Sequence, residues 1–251
     1  MATRGGSQLG ILPILAGLLV LVGGVGLLRD RSAGSTPTCE GEDDAGCHAP
    51  VAPASPTVKA PPVLDAATAC RNVGYLCAEL AMRENMRLRR WKDFSGTLVV
   101  YVPRPDFEDS EDAARLQEAA MRGLRAWNGQ PFQILADRSG EREAHFAVRW
   151  TRTLGGNRIG VAHTEWSSAT GLNVLSIELA TRSPFDRGRV NDPRRVQLTA
   201  AHEMGHALGL PHSDSERDVM YPTNTATSMS AQDYRTMEVL YGLEDGTEIV
   251  R

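Results

Sequence analysis

A basic excess is missing from this chain. Its 251 residues carry 27 Lys and Arg against 31 Asp and Glu, a net charge of −4, and the pI is near 5.9. That leaves no positive footprint for nucleic acid, so this class of partner is excluded. Cysteine is also scarce: Cys39, Cys47, Cys70 and Cys77 are the four, and none follows in the later two-thirds. They form no C-x-x-C pair, which argues against a zinc site made of thiolates. No internal repeat is present. Long charge-free runs are missing too, with one exception.

The exception is "LGILPILAGLLVLVGGVGLL", Leu9 to Leu28. At ~1.5 Å per residue it matches roughly the 30 Å hydrocarbon core of a bilayer. It is longer than the apolar core of a usual secretory signal, and no A-x-A site follows it. It therefore reads as an uncleaved anchor, and the cysteines just beyond it put the bulk of the chain on the exported side, periplasmic or extracellular. A cleaved signal would instead give a secreted protein. An even set of cysteines just beyond such a segment favours disulfides, and the local pairs Cys39–Cys47 and Cys70–Cys77 are the simplest of three connectivities.

The chain then divides by composition. Residues 1–8 precede the apolar run at 9–28, and 29–69 is a Pro- and Ala-rich tether that cannot bury enough apolar surface to fold. The acidic "CEGEDDAGC" inside it lacks the spaced ligands and glycine of a calcium loop. Residues 70–95 form a Cys-containing lead-in, where "LCAELAMRENMRLRRW" has helical character. The remainder, 96–251, is expected to be one α+β domain with a mixed twisted sheet and three helices. "GTLVVYVP" (Gly96 to Pro103) alternates as a strand, and further strands are predicted at Phe132–Asp137, His145–Thr153, Ile159–Trp166 and Leu172–Ala180. "DSEDAARLQEAAMRGLRAWNG" is a helix capped by Asp109 or Ser110. A second helix covers Arg194 to Leu208, and a third starts at the cap Ser230 and stops before Gly242.

The second helix carries the chemistry, in "AHEMGHALGLPHS" (Ala201 to Ser213). His202 and His206 fall one helical turn apart on one face, so both imidazoles can reach one zinc ion. Glu203 projects beside them, placed to act on water without ligating the metal. Gly209 tolerates the left-handed conformation that ends the helix, Pro211 stiffens the return, and His212 can supply a third nitrogen. A chance match to H-E-x-x-H-x-x-G-x-x-H in a chain this long is on the order of one in 10⁵.

These five residues resemble the metzincin zinc endopeptidases. "DVMYP" matches the methionine turn of that clan through Met220. Within it the matrixins, the matrix-metalloproteinase family, are the most similar. Ser213 follows the third histidine, Pro222 stands where astacins and serralysins have a zinc-binding tyrosine, and "MSAQDYRTMEVLYG" resembles the matrixin C-terminal helix. The resemblance spans roughly Thr97 to Gly242. It implies a metalloendopeptidase, with the zinc site on the second helix and one catalytic zinc held by His202, His206 and His212. Glu203 is then the general base acting on a zinc-activated water, over a floor made by Met220. Protein or peptide substrates would lie extended along "GVAHTEW" near Val161 and Ala162. Leu198 and Pro222 are candidate walls of the specificity pocket.

The sequence also departs from the family. His163 matches one ligand of the structural zinc of animal matrixins, but "RTLGGNRIG" and "NVLSIELA" lack its partners, so a second zinc is not expected. Carboxylate-rich loops for Ca2+ are not evident, which leaves calcium open, and the propeptide Pro-Arg-Cys-Gly is missing. The rival reading is a membrane-tethered, catalytically silent binding module on a peptidase scaffold. An intramembrane protease is disfavoured because the charged "NDPRRVQ" runs straight into the motif.

Overall fold

Alternation in sequence becomes alternation in burial along the first long strand. In the computed structural model, Leu98 and Val100 are buried while their neighbours turn outward. The structure describes residues 64–65, 74–77, 84–92, 96–129, 132–138, 140–223 and 225–250. All belong to the unit Pro56–Arg251. The apolar run Leu9–Leu28, most of the tether, and Cys39, Cys47 and Cys70 lie outside the described residues. Cys77 is buried and takes part in a disulfide.

Strands β1 (Leu64–Asp65), β2 (Asn85–Arg87) and β3 (Thr97–Tyr101) lead into helix α1 (Ser110–Arg125). Then come β4 (Gln133–Asp137), β5 (Phe146–Thr151), β6 (Gly160–Ser167), β7 (Gly171–Ala180), α2 (Pro193–Ala207), α3 (Ala231–Gly242) and β8 (Glu248–Val250). The larger sheet has the order β4-β3-β5-β7-β6. Its first four strands are parallel neighbours, and β6 closes one side antiparallel to β7, paired Ala162 to Ile177. The expected α+β fold, with a mixed sheet and three helices among the described residues, is therefore present. β6 is an edge strand, so its outer backbone groups are open to a partner chain.

Helix α1 begins where Asp109 accepts from the backbone N–H of Glu111 and Asp112, and Glu111 and Asp112 add negative charge to the first turn. Leu116, Ala120 and Leu124 share its buried face. Gly123 lets α1 and α2 approach closely, since a Cβ there would lie 2.1 Å from the Gln197 carbonyl oxygen. The core joins these residues to Val100, Val148, Ile177 and Leu179 of the sheet and to Ala200 and Met204 of α2. Each such leucine contributes roughly 1.5–3 kcal/mol by leaving water.

The end of the lead-in departs from its expected helical character, while residues 78–83 lie outside the described residues. Residues 85–87 form β2, antiparallel to β8, with Met86 opposite Ile249. The pattern there has period two: Met86 and Leu88 turn inward, Arg87 and Arg89 outward. Pairing with the C-terminal strand overrides a weak local helical preference. β8 also pairs parallel with β1, so the end of the expected tether, Leu64–Asp65, joins this second sheet of order β1-β8-β2. The sequence pattern predicts no element after Gly242, because a three-residue strand has too short a period to detect.

Candidate metal centre

Asp192 caps α2 by accepting from the N–H groups of Arg194 and Arg195, and Pro193 occupies the first turn, where its missing N–H costs nothing. The helix then runs without a break through His202 and His206. Its end is sharp: Gly209 takes φ +101°, and Leu210 N–H donates to the Gly205 carbonyl at 2.9 Å. A Cβ on Gly209 would also stand 2.0 Å from the Arg89 carbonyl oxygen, so glycine is required here twice over. Pro211 follows, and His212 turns back toward the helix.

The result is three imidazoles facing one point. The Nε2 atoms of His202 and His206 are 3.1 Å apart, and those of His206 and His212 are 3.1 Å apart. His202 Nδ1 lies 2.7 Å from the Val219 carbonyl oxygen, and His206 Nδ1 lies 2.9 Å from that of Leu210. A carbonyl can only accept, so both Nδ1 atoms carry the proton and donate. Burial lowers the pKa of His202 to about 4 and that of His206 to about 3, so both rings are neutral near pH 7. Their Nε2 atoms are therefore bare lone pairs, crowded together at hydrogen-bond distance. A cation among them resolves that conflict, and three imidazole nitrogens are a ligand set that catalytic zinc takes. Among the described residues this is the one group of convergent metal-ligating side chains.

Glu203 sits next to the triad but outside that group, 7% exposed. Burial pushes its carboxyl up to about 7, against the Ala162 N–H that donates to it and the charge of Arg158. Gly160 presses its backbone on the same side chain: a Cβ there would lie 2.7 Å from Glu203 Cγ. The edge strand thus holds the carboxyl from two positions. Beneath the helix, Met220 is fully buried against Gly205, where a Cβ would meet its Sδ at 2.2 Å.

The other predicted residues divide. Ala162 lines a cleft of about 380 Å3 together with His206 and His212, and Val161 is half-buried beside it on β6. Leu198 instead lines a separate recess of about 410 Å3 between α1, α2 and residues 227–229, which no histidine of the triad enters. Pro222 is exposed and does not line the cleft. His163 is exposed, with Nε2 3.3 Å from Glu178 Oε2 on the neighbouring strand.

Sequence reasoning missed Asp233. It is fully buried in α3, where Oδ2 accepts from Val219 N–H at 3.0 Å and Ser230 N–H at 2.8 Å, and Oδ1 accepts from Tyr75 OH at 3.0 Å. Val219 therefore links Asp233, through its N–H, to His202, through its carbonyl. The S-x-x-D spacing of Ser230 and Asp233, a capping box, was the available signal. Ser213 works similarly: its N–H donates to the Met220 carbonyl and its hydroxyl to Asp218, which closes the loop below the triad. Asp233→Ala strands two buried donors and one half-buried one, so the expected loss is about 3–5 kcal/mol of stability. Chemical denaturation of the zinc-loaded chain measures it, and a loss below about 1 kcal/mol contradicts this account.

The matrixin family model matches residues 116–242, half of the chain, and includes α2, the methionine turn and α3. The chain belongs to the matrixin family. Matrixins are zinc metalloendopeptidases, in accord with the histidine triad. Over 51 residues it is 45% identical to macrophage metalloelastase of Rattus norvegicus, covering 18% of this chain and 11% of that protein. It is 39% identical over 57 residues to matrix metalloproteinase-26 of Homo sapiens, covering 21% and 22%. Matrix metalloproteinase-9 of Canis lupus familiaris is 39% identical over 71 residues, covering 25% and 10%. The matched stretch thus spans about a tenth to a fifth of the length of these relatives.

Proposed function

We propose that this matrixin is a zinc-dependent endopeptidase that hydrolyses extended polypeptides. The observation that carries the reading is the triad: three Nε2 atoms converge, and two of them are bare because their Nδ1 protons are committed to backbone carbonyls. His202, His206 and His212 would hold the metal. Zinc bound there supplies Lewis acidity, which brings a water's pKa close to neutrality.

The chain's own groups do the rest. Glu203 takes the proton from the attacking water and delivers it to the leaving amine, so its carboxyl must be ionised before attack and protonated after it. A carboxyl raised toward neutrality by burial can serve both halves of that cycle. Ala162 N–H keeps it aimed while the substrate is absent. The open edge of β6 offers backbone groups to an extended peptide, in the manner of an added strand. Met220 fills the space under the helix and takes no part in proton transfer.

The zinc-loaded chain is expected to hydrolyse an unstructured protein, to lose that activity to a chelator, and to recover it on return of zinc. Stoichiometric zinc with no hydrolysis would instead favour the catalytically silent binding module.

We further propose that Leu9–Leu28 anchors the chain in a membrane, with the peptidase domain on the exported side. Its support is the charge-free length of that run. No helix among the described residues is long and apolar enough to cross a membrane. Membrane fractions are expected to contain the chain with its N-terminus intact. A soluble form starting beyond Leu28 would show that the run is cleaved.

A further inference from the structure

The cleft beside the triad has two walls of different chemistry. One is β6, through Ala162 and Thr164, and the other is the segment Met86–Arg89 at the edge strand β2. The β6 residues bring no positive charge to it, whereas the second wall carries two arginines. Arg87 is committed, since its guanidinium pairs with Glu248 of β8. Arg89 is exposed, and among the described residues no carboxylate pairs with it.

Arg89 nevertheless has an aromatic neighbour. Its guanidinium stands 5.8 Å from the centre of the Trp166 ring, and that of Arg87 stands 5.7 Å from the same ring. The ring is itself fixed, because Trp166 Nε1 donates to Asp245 Oδ1 at 3.0 Å. A guanidinium at cation–π distance from an indole is drawn to that side of the cleft, and the natural partner of its fork of donors is a carboxylate. The acids nearby do not fill the role: Glu248 serves Arg87, and Asp245 serves Trp166 and the Arg90 N–H. Strand alternation sends Glu165 to the face opposite Thr164 and Trp166.

We infer that Arg89 is a specificity residue that binds an acidic side chain of the substrate. The inference rests on the proposed peptidase reading, with the peptide extended along β6. Ala162 lies beside Glu203 and the triad, level with the scissile bond. Thr164 and Trp166 follow two and four residues further along the strand, roughly 7 and 13 Å away at about 3.3 Å per residue. A peptide paired with β6 therefore brings to Arg89 a side chain about two to four residues from the scissile bond, on the Trp166 side.

The test scans Glu, Gln and Lys through four positions on each side of the cleaved bond in fluorogenic peptides, using the zinc-loaded chain. At one or two positions on a single side, kcat/KM is expected to favour Glu over Lys by roughly threefold to tenfold. In Arg89→Glu, with zinc per chain unchanged, that ratio should fall to one or below, and Arg89→Lys should restore part of it. Arg235→Glu, the same charge change on α3 outside the cleft lining, should keep the wild-type ratio. A ratio near one at every position in the wild type overturns the inference, as does a preference that persists in Arg89→Glu or vanishes in Arg235→Glu. No cleavage of any peptide means that the peptidase reading itself has failed.

Discussion

Glu203→Gln is expected to keep one zinc per chain and the wild-type fold while hydrolysis falls on the order of 10³- to 10⁴-fold. The substitution changes little in shape. The Gln carbonyl oxygen can still accept from the Ala162 N–H, and no volume is added where Gly160 presses on the side chain. Removed are the charge and the capacity to take a proton from water. Because Glu203 is not among the converging ligand atoms, metal content should not follow activity downward. Zinc analysis and turnover on one preparation decide the matter. Activity within tenfold of wild type, with zinc present, would leave this chain without a general base at position 203. A joint loss of zinc and activity would make Glu203 a structural element of the metal site.

The parts of the site legible in sequence are those whose geometry is local. One helical turn sets the spacing of His202 and His206, and a left-handed residue after the helix returns His212, so the motif carries its own three-dimensional meaning. Met220 was accessible only through resemblance, because its contact with Gly205 joins separate elements. Asp233 is hidden from sequence because it reaches His202 through the backbone N–H and carbonyl of Val219, with Tyr75 bonded to its other oxygen. The strand at residues 85–87 is hard to read in sequence for a related reason. Met86 and Leu88 alternate with Arg87 and Arg89, but three or four residues give a helix and a strand nearly equal standing until β8 is there to pair with. Leu198 lies on α2 and lines the recess between that helix and residues 227–229, beyond Met220, separate from the cleft that contains His206 and His212.

The two remaining histidines of interest separate by what surrounds each. His212→Ala is expected to weaken zinc binding at least a hundredfold and to abolish turnover. The loss of supporting groups around a metal ligand already costs roughly 10- to 100-fold, and His212 is a candidate ligand in its own right. Its ring completes a set whose other two members are fixed by Val219 and Leu210, and no carboxylate or cysteine among the described residues converges there to replace it. His163 is exposed on β6 and meets a single carboxylate, Glu178, across the strand pair. Two groups cannot make the four-ligand shell of a structural zinc. His163→Ala should therefore leave the metal count at one per chain and change stability by less than about 1 kcal/mol. Zinc per chain, measured for wild type and both variants, distinguishes the cases. Two zinc ions in the wild type and one in the His163 variant would mean that residues beyond Glu178 join His163 in a second site, and the assignment of a single metal centre would fall with it.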